Sequence, residues 1–142
     1  MRRMLAAAAV LSVLTVAPAL AGETPAPAGA EVYFIAPQDG ATVSSPVTVR
    51  FGLKGMGVAP AGVEKEMTGH HHLLIDTEAP TGAALNEPLP ADDHHKHFGG
   101  GQTETTVELA PGTHTLQLLL GDWSHIPHNP PVMSQKITIT VK

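Results

Sequence analysis

The segment VTVRFGL, residues 47–53, alternates apolar side chains with polar or small ones at every position. Val47, Val49 and Phe51 fall on one side of this pattern, and Arg50 is among those on the other. Successive side chains of a β-strand point to opposite faces of a sheet, so a period of two predicts a strand with one buried face. The segment therefore indicates a sheet whose inner face packs on an apolar core.

Five other segments carry strand patterns, and turn residues separate them. They are residues 31–36, 70–76, 103–109, 113–121 and 133–141. No segment keeps a helical period, and the chain contains 13 prolines and 14 glycines, which favour turns. Short strands at this spacing predict an all-β fold, a small immunoglobulin-like antiparallel β-sandwich of six or seven strands.

The N-terminal residues have the pattern of an export signal. Two arginines precede an apolar stretch at residues 4–16, and the small-residue cleavage motif Ala19-Leu20-Ala21 follows. The stretch is too short for a good membrane span, so we expect a periplasmic or secreted protein without a membrane span after processing. An uncleaved anchor is the alternative. The predicted organisation is a signal peptide at 1–21, a flexible linker at 22–30 and a β-sandwich domain at 31–142.

The composition limits the partners that the exported chain can have. Loss of Arg2 and Arg3 would leave six basic against thirteen acidic residues, a net charge of −7 with neutral histidines. Such a charge argues against nucleic acid and anionic membranes as partners, and it favours cations. Cysteine is absent, so any soft ligand for a metal must be methionine or histidine.

Eight of the nine histidines lie in three groups, at residues 70–72, 94–97 and 125–128. In the predicted sandwich the first group opens a strand, and the other two lie in loops beside that end of the strand. All three groups are therefore expected at one end of the domain, where sandwich loops commonly carry function. His114 opens another strand and is expected at the opposite end.

Within the first group, His70 and His72 share a face of their strand and can contact one ion, whereas His71 points the other way. Imidazole binds zinc, copper, nickel and iron, and a methionine thioether adds a preference for copper(I). Because the exported chain is acidic and lacks cysteine, copper is the expected metal and zinc the second choice. The candidate metal ligands and supporting residues are His70, His72, His97, His125, His128, Asp122, Met67 and Met133.

Several of these residues also have a structural interpretation. Asp122 is expected either to orient an imidazole as a hydrogen-bond acceptor or to hold its own loop through backbone hydrogen bonds. Met67 and Met133 either complete a copper(I) site or pack against their neighbours. His71 and His114 are expected to be hydrogen-bonding residues at the surface or its boundary.

Four motifs carry a resemblance to a known family. They are GHHHLLID (69–76), HKHFGGGQTE (95–104), PGTHTLQLLLGD (111–122) and HIPHNPPVMSQKITI (125–139). The chain resembles an uncharacterised family of exported bacterial β domains, a domain of unknown function, over nearly all of residues 31–142. The resemblance implies a small periplasmic or secreted β domain, and it supplies neither an activity nor a ligand.

Three functions are consistent with these observations. The first is a periplasmic histidine-rich metal-binding domain, acting as a copper carrier, buffer or accessory protein. The second is a small metalloenzyme in which an open coordination position activates water or oxygen. The third is an immunoglobulin-like binding module for an envelope protein or polymer, without a metal. No catalytic residue is assigned, and the sequence leaves catalysis undecided while favouring a protein that is not an enzyme.

Overall fold

The computed structural model of the chain describes residues 22–142, and the predicted signal peptide lies outside the described residues. The strands are β1 (Glu31–Ala36), β2 (Thr42–Val43), β3 (Val47–Lys54), β4 (Gly57–Val58), β5 (Thr68–Ile75), β6 (His95–His97), β7 (Glu104–Val107), β8 (Gly112–Gly121) and β9 (Ile137–Val141). A short 3-10 helix spans Gly82–Asn86. Nothing helical in residues 22–142 is long and apolar enough to cross a membrane.

The strands form two sheets. One contains β1, β3 and β7 in that order, and its strand pairs are antiparallel. The other has the order β2-β9-β8-β5, and both β4 and β6 pair with the remaining edge of β5. The long strands β1, β3 and β7 are thus separated from β5, β8 and β9, which is the division of an immunoglobulin-like sandwich. The predicted all-β sandwich is confirmed, and its six predicted strands are the six longest, although β9 begins four residues later than expected. The strands number nine rather than six or seven, because the short strands β2, β4 and β6 join the edges of the larger sheet, and β2 and β4 pair in parallel.

The apolar core lies between the two sheets. Val47, Val49 and Phe51 of β3 are at most 3% exposed, as the alternation of VTVRFGL predicts. They belong to one cluster with Leu118 and Leu120 of β8. Burying each side chain of this kind contributes about 1.5–3 kcal/mol, so this cluster accounts for much of the stability of the domain.

Strand β5 is buried on both faces, which a simple alternating pattern does not predict. Ile75 belongs to the core between the sheets, whereas Leu74 packs with Leu89 and Leu119 in a second, smaller cluster on the outer face. Leu89 comes from the connection between β5 and β6, and this connection covers part of the outer face. Polar side chains that point outward from β5 can therefore be buried as well.

Residues 22–30 run beside the loop that follows β8. Pro25 forms a parallel bridge with Asn129, and the Ala26 N–H donates to the Asn129 carbonyl over 2.9 Å. The Asn129 N–H in turn donates to the Thr24 carbonyl over 2.9 Å. The segment expected to be a linker before the domain thus makes backbone hydrogen bonds with a loop of that domain.

Candidate metal centre

Strand β5 places two imidazoles side by side on its outer face. His70 and His72 are two residues apart, so the pleat of the strand directs both side chains the same way. Their ring centroids are 4.8 Å apart, and their Nε2 atoms are 3.0 Å apart. The two side chains are 0% and 2% exposed, which is unusual for histidine and marks them as part of the interior.

Two further imidazoles come from separate parts of the chain. His97 ends β6 and lies across the β5–β6 ladder from His72, with ring centroids 5.1 Å apart. His125 lies in the loop after β8, and its Nδ1 is 3.1 Å from the Nε2 of His70. One ring nitrogen from each of these four residues, the histidine cluster, lies within 4.8 Å of the other three. Members of all three histidine groups therefore meet, and together they could hold a metal ion.

The spacing of the ring nitrogens is close to that of a metal site. Zinc binds histidine nitrogen at about 2.0–2.1 Å, which places tetrahedral ligand nitrogens about 3.4 Å apart. The two closest contacts in the cluster are 3.0 and 3.1 Å, and the remaining nitrogens lie within 4.8 Å. For one ion to bind all four, the more distant nitrogens would have to move closer together. Both close pairs share the Nε2 of His70, which carries either one N–H or one lone pair, so without an ion it can form a full hydrogen bond with only one of its two neighbours.

Two glycines leave the space that the imidazoles occupy. Gly121 pairs with His70 across the β5–β8 ladder, and a Cβ atom there would lie 2.8 Å from the Nε2 of His72. A Cβ atom on Gly99 would lie 2.7 Å from the Nε2 of His97. Both distances are too short for a real Cβ contact, so a larger residue at either position would displace an imidazole of the cluster.

Burial favours the neutral form of three of the four imidazoles. The pKa of His70 is lowered to about 4, mainly by burial and then by the nearby His125 and His97, while the Asp122 carboxylate acts in the opposite direction. The pKa of His72 is lowered to about 2, again mainly by burial, with the other imidazoles adding to the effect. Burial, followed by His125, also lowers the pKa of His97. Metals bind neutral imidazole, so His70 and His72 are ready to act as ligands at neutral pH.

The histidine cluster is accessible from one side. His97 is exposed and His125 is partly buried, whereas His70 and His72 are buried. The solvent-facing side of the cluster is therefore the side of His97. This arrangement fixes one half of the site in the fold and leaves the other half where ligands can exchange.

Asp122 shapes the loop that carries His125. Its Oδ1 accepts hydrogen bonds from the N–H groups of Ser124 at 2.8 Å and Ile126 at 3.0 Å. Its Oδ2 accepts a 2.6 Å hydrogen bond from the hydroxyl of Thr24. Of the two roles expected for Asp122, the hydrogen bonds support the one within the loop, because their donors are the loop backbone and Thr24 rather than an imidazole.

Three other candidate ligands lie outside the cluster. His128 is buried beside Gly69, and its Nε2–H donates to the Thr68 carbonyl over 3.1 Å. Met67 and Met133 are exposed and border two different cavities, of about 610 and 480 Å³, whose walls contain none of the four clustered histidines. The structure thus gathers imidazoles and leaves both thioethers on other surfaces.

The remaining histidines correct two expectations and confirm one. Residues 95–97 form strand β6 rather than part of a loop. The surface role expected for His71 is wrong, because the alternation of β5 turns its ring into the core, 5.0 Å from the ring centroid of Phe51, where neither ring nitrogen has a partner among the described residues. His114 is hydrogen-bonded as predicted, with its Nδ1 2.6 Å from the Oδ2 of Asp76 at the far end of β5.

The sequence reasoning missed three residues that shape the site. Gly99 and Gly121 had a readable signal, because a glycine at the end of an apolar strand run or beside a histidine motif often marks a close approach of side chains. Thr24 had none. Its contact with Asp122 joins residues 98 positions apart, and a small polar residue in a segment rich in proline and alanine is not distinctive.

Comparison with known proteins gives a family and no further relative. A family model described as a domain of unknown function, DUF4399, matches residues 49–142, which include all four sequence motifs quoted above. Neither a curated protein nor a solved structure matches the chain. The resemblance inferred from the sequence is therefore confirmed, and the chain belongs to the DUF4399 family.

Proposed function

We propose that this DUF4399 chain is an exported metal-binding protein that serves as a copper carrier, buffer or accessory protein in the periplasm, with zinc as the second choice of metal. The observation that carries the proposal is the histidine cluster, in which four ring nitrogens from three separate segments lie within 4.8 Å of one another. Exposed histidines scattered over a surface would chelate metals weakly. Here two paired strands and the loop after β8 bring the ligands together.

The nature of the donors supports copper. A set of neutral imidazoles suits copper, zinc, nickel and iron, and among divalent ions such a site binds copper most tightly. With Met67 and Met133 on other surfaces, the donor set favours copper(II) over copper(I), because thioether sulfur is the donor that selects the reduced ion. The carboxylate of Asp122 near the cluster adds a negative charge that favours any cation there.

The arrangement of the ligands supports binding and exchange. His70 and His72 hold fixed positions on β5, while His97 faces solvent at the end of a three-residue strand. A donor or acceptor of metal could replace the exposed ligand first and the buried pair last. The metalloenzyme and the metal-free binding module remain alternatives, and the binding module would become the better proposal if the test below fails.

The test is titration of copper(II) and of zinc into tag-free apo protein. The wild type is expected to bind one ion per chain with a sub-micromolar Kd, which corresponds to more than about 8.2 kcal/mol. His72→Ala with His125→Ala should abolish that site. The matched control, His94→Ala with His95→Ala, also removes two imidazoles but leaves the cluster complete, so it should bind as the wild type does. Equal weak binding by all three proteins would refute the proposal.

Export is the second part of the proposal, and it rests on the motif Ala19-Leu20-Ala21. Expression of the whole chain followed by separation of the periplasm should give a protein whose intact mass begins at Gly22. A cytoplasmic protein with the mass of the whole chain would contradict this part and would leave the metal proposal to its own test.

A further inference from the structure

The N-terminal residues 22–27, here called the strap, lie against the loop that supplies His125. Backbone hydrogen bonds join the strap to Asn129 in both directions, each 2.9 Å long. The side chain of Ala26 packs against the core. The strap is therefore attached to the domain at its middle, and its backbone fixes the far end of the loop.

A side-chain hydrogen bond joins the strap to the near end of the same loop. The Thr24 hydroxyl donates to the Oδ2 of Asp122 over 2.6 Å. Asp122 is 4% exposed, and its other oxygen already accepts from the N–H groups of Ser124 and Ile126. Thr24 thus completes the hydrogen bonding of a buried carboxylate whose geometry defines the turn.

His125 needs that turn to be held. Its backbone has φ of +68°, in the left-handed region that residues other than glycine seldom occupy. Its N–H donates to the Asp122 carbonyl over 3.0 Å, and its own carbonyl accepts from Leu89 over 2.9 Å. A strained residue of this kind keeps its conformation only when its surroundings impose it. The hydrogen bonds of Asp122 with the backbone on both sides of His125 are the nearest contacts that impose this conformation.

We propose that Thr24 is a positioning residue of the metal centre, which holds the His125 ligand in place through Asp122. This inference rests on the proposed metal-binding function. The strap thereby becomes part of the site, although none of its residues belongs to the histidine cluster. Loosening the strap would let the loop relax, and one of the four imidazoles would then spend part of its time away from the other three.

The experiment compares Thr24→Val, which keeps the shape and removes the hydroxyl, with Thr24→Ser, which keeps the hydroxyl. Thr140→Val is the matched control, because Thr140 is exposed on β9 and its side chain makes no hydrogen bond within the described residues. Copper(II) affinity and the electron paramagnetic resonance spectrum of the bound ion are measured for each, on protein made from the native N-terminal sequence. Thr24→Val should bind copper about 10-fold or more weakly, the usual effect of losing a supporting residue, with an altered spectrum.

Rescue by the serine variant separates this role from a general effect on stability. Thr24→Ser should retain the wild-type affinity and spectrum, as should Thr140→Val. Wild-type affinity and an unchanged spectrum in Thr24→Val would overturn the inference while leaving the metal site intact.

A measurement without metal keeps the inference testable even if the metal proposal fails. In apo protein, amide hydrogen exchange at Ser124 and Ile126 reports whether the loop is held. Faster exchange in Thr24→Val, with wild-type rates in Thr24→Ser, supports the strap. Unchanged rates in Thr24→Val overturn it. If the double variant His72→Ala with His125→Ala loses copper binding and Thr24→Val does not, the metal proposal stands and the role of Thr24 is refuted.

Discussion

Substitution of Gly121 by alanine is the sharpest test of the geometry of the histidine cluster. The added Cβ atom would lie 2.8 Å from the Nε2 and 3.1 Å from the Cδ2 of His72. Carbon and nitrogen atoms in ordinary contact are about 3.5–4.0 Å apart, so the ring must withdraw by about 0.7–1.2 Å. Gly121 does not have a left-handed backbone, so alanine meets no conformational strain there. The perturbation is therefore local crowding of the His72 ring, with the backbone carbon of His125 next at 3.4 Å, an ordinary contact.

The withdrawal of His72 should weaken metal binding without unfolding the protein. Disturbing the support of a ligand commonly costs 10–100-fold in affinity, and we expect the Kd for copper(II) to rise by about that factor, or about 1.4–2.7 kcal/mol. Overpacking of this kind should also lower the free energy of unfolding of the apo protein by about 1–3 kcal/mol. Isothermal titration gives the affinity, and urea denaturation of the apo protein gives the stability.

Two companion variants decide how the result is understood. Gly57→Ala places a Cβ atom 3.5 Å from the Cγ2 of Thr68, an ordinary contact on the strand next to β5, and should change neither quantity. Gly99→Ala crowds His97, which is exposed and can turn away, so its effect on affinity should be smaller than that of Gly121→Ala. If Gly121→Ala folds and binds copper as tightly as the wild type does, His72 is not a ligand and the assignment of the site is wrong.

Three further predictions follow from the histidines themselves. Replacing His71 by phenylalanine removes two buried ring nitrogens that lack partners in the described chain, so thermal denaturation should show a rise in stability of about 1 kcal/mol or more, with copper binding unchanged. His97→Ala should weaken copper binding less than His72→Ala does, because His97 is exposed. Copper titration and the rate of copper release to a chelator measure the difference, and an equal loss of affinity in the two variants would contradict it. The hydrogen bond to Asp76, and then that to a backbone carbonyl, raise the pKa of His114, so this residue stabilises the fold most below pH ~6.5, and the contribution disappears as pH rises through the raised pKa. Urea midpoints of wild type and His114→Gln should therefore differ more at pH 5.5 than at pH 8.5, and an equal difference at both would contradict the ion pair.

The six longest strands could be predicted because the residues that form them carry their signal locally, whereas the two- and three-residue strands β2, β4 and β6 are too short to show a pattern. The alternation in VTVRFGL identifies β3 and its buried face without any knowledge of the partner strands. The segment GHHHLLID gave β5, but its alternation could not reveal that both faces are buried. That burial depends on Leu89, which the chain brings back over the outer face, and no local pattern specifies such a covering.

The candidate site could be predicted only as far as topology places it. Knowledge of the sandwich was enough to bring the three histidine groups to the same region, because the strands that carry or border them start or finish at one end of the domain. It did not choose among the members of each group. His125 and His128 are three residues apart, yet one joins the cluster and the other bonds to the Thr68 carbonyl, because the turn held by Asp122 separates them. That choice depends on a left-handed residue and a contact with the distant Thr24.

The position of the cluster on the sheet has a consequence for how metal and stability are linked. The main core contains 15 buried apolar residues and includes none of the four clustered histidines, so the domain can fold before any ion binds. The cluster nevertheless holds buried Nδ1 atoms of His70 and His72 that have no partner among the described residues, and these atoms lower the stability of the apo protein.

Metal binding should add to the stability of this folded domain. An ion whose free concentration is 100 times its Kd would raise the free energy of unfolding by about 2.7 kcal/mol, a substantial fraction of the 5–15 kcal/mol that is usual for a domain. Metal should therefore raise the melting temperature of a protein that is already folded, in contrast to small zinc domains that fold only when metal binds. Because the ligands are assembled in advance by β5, β6 and the loop held by Asp122, little binding energy is needed to order them, and a site of this kind can bind tightly and still release its ion through exposed His97.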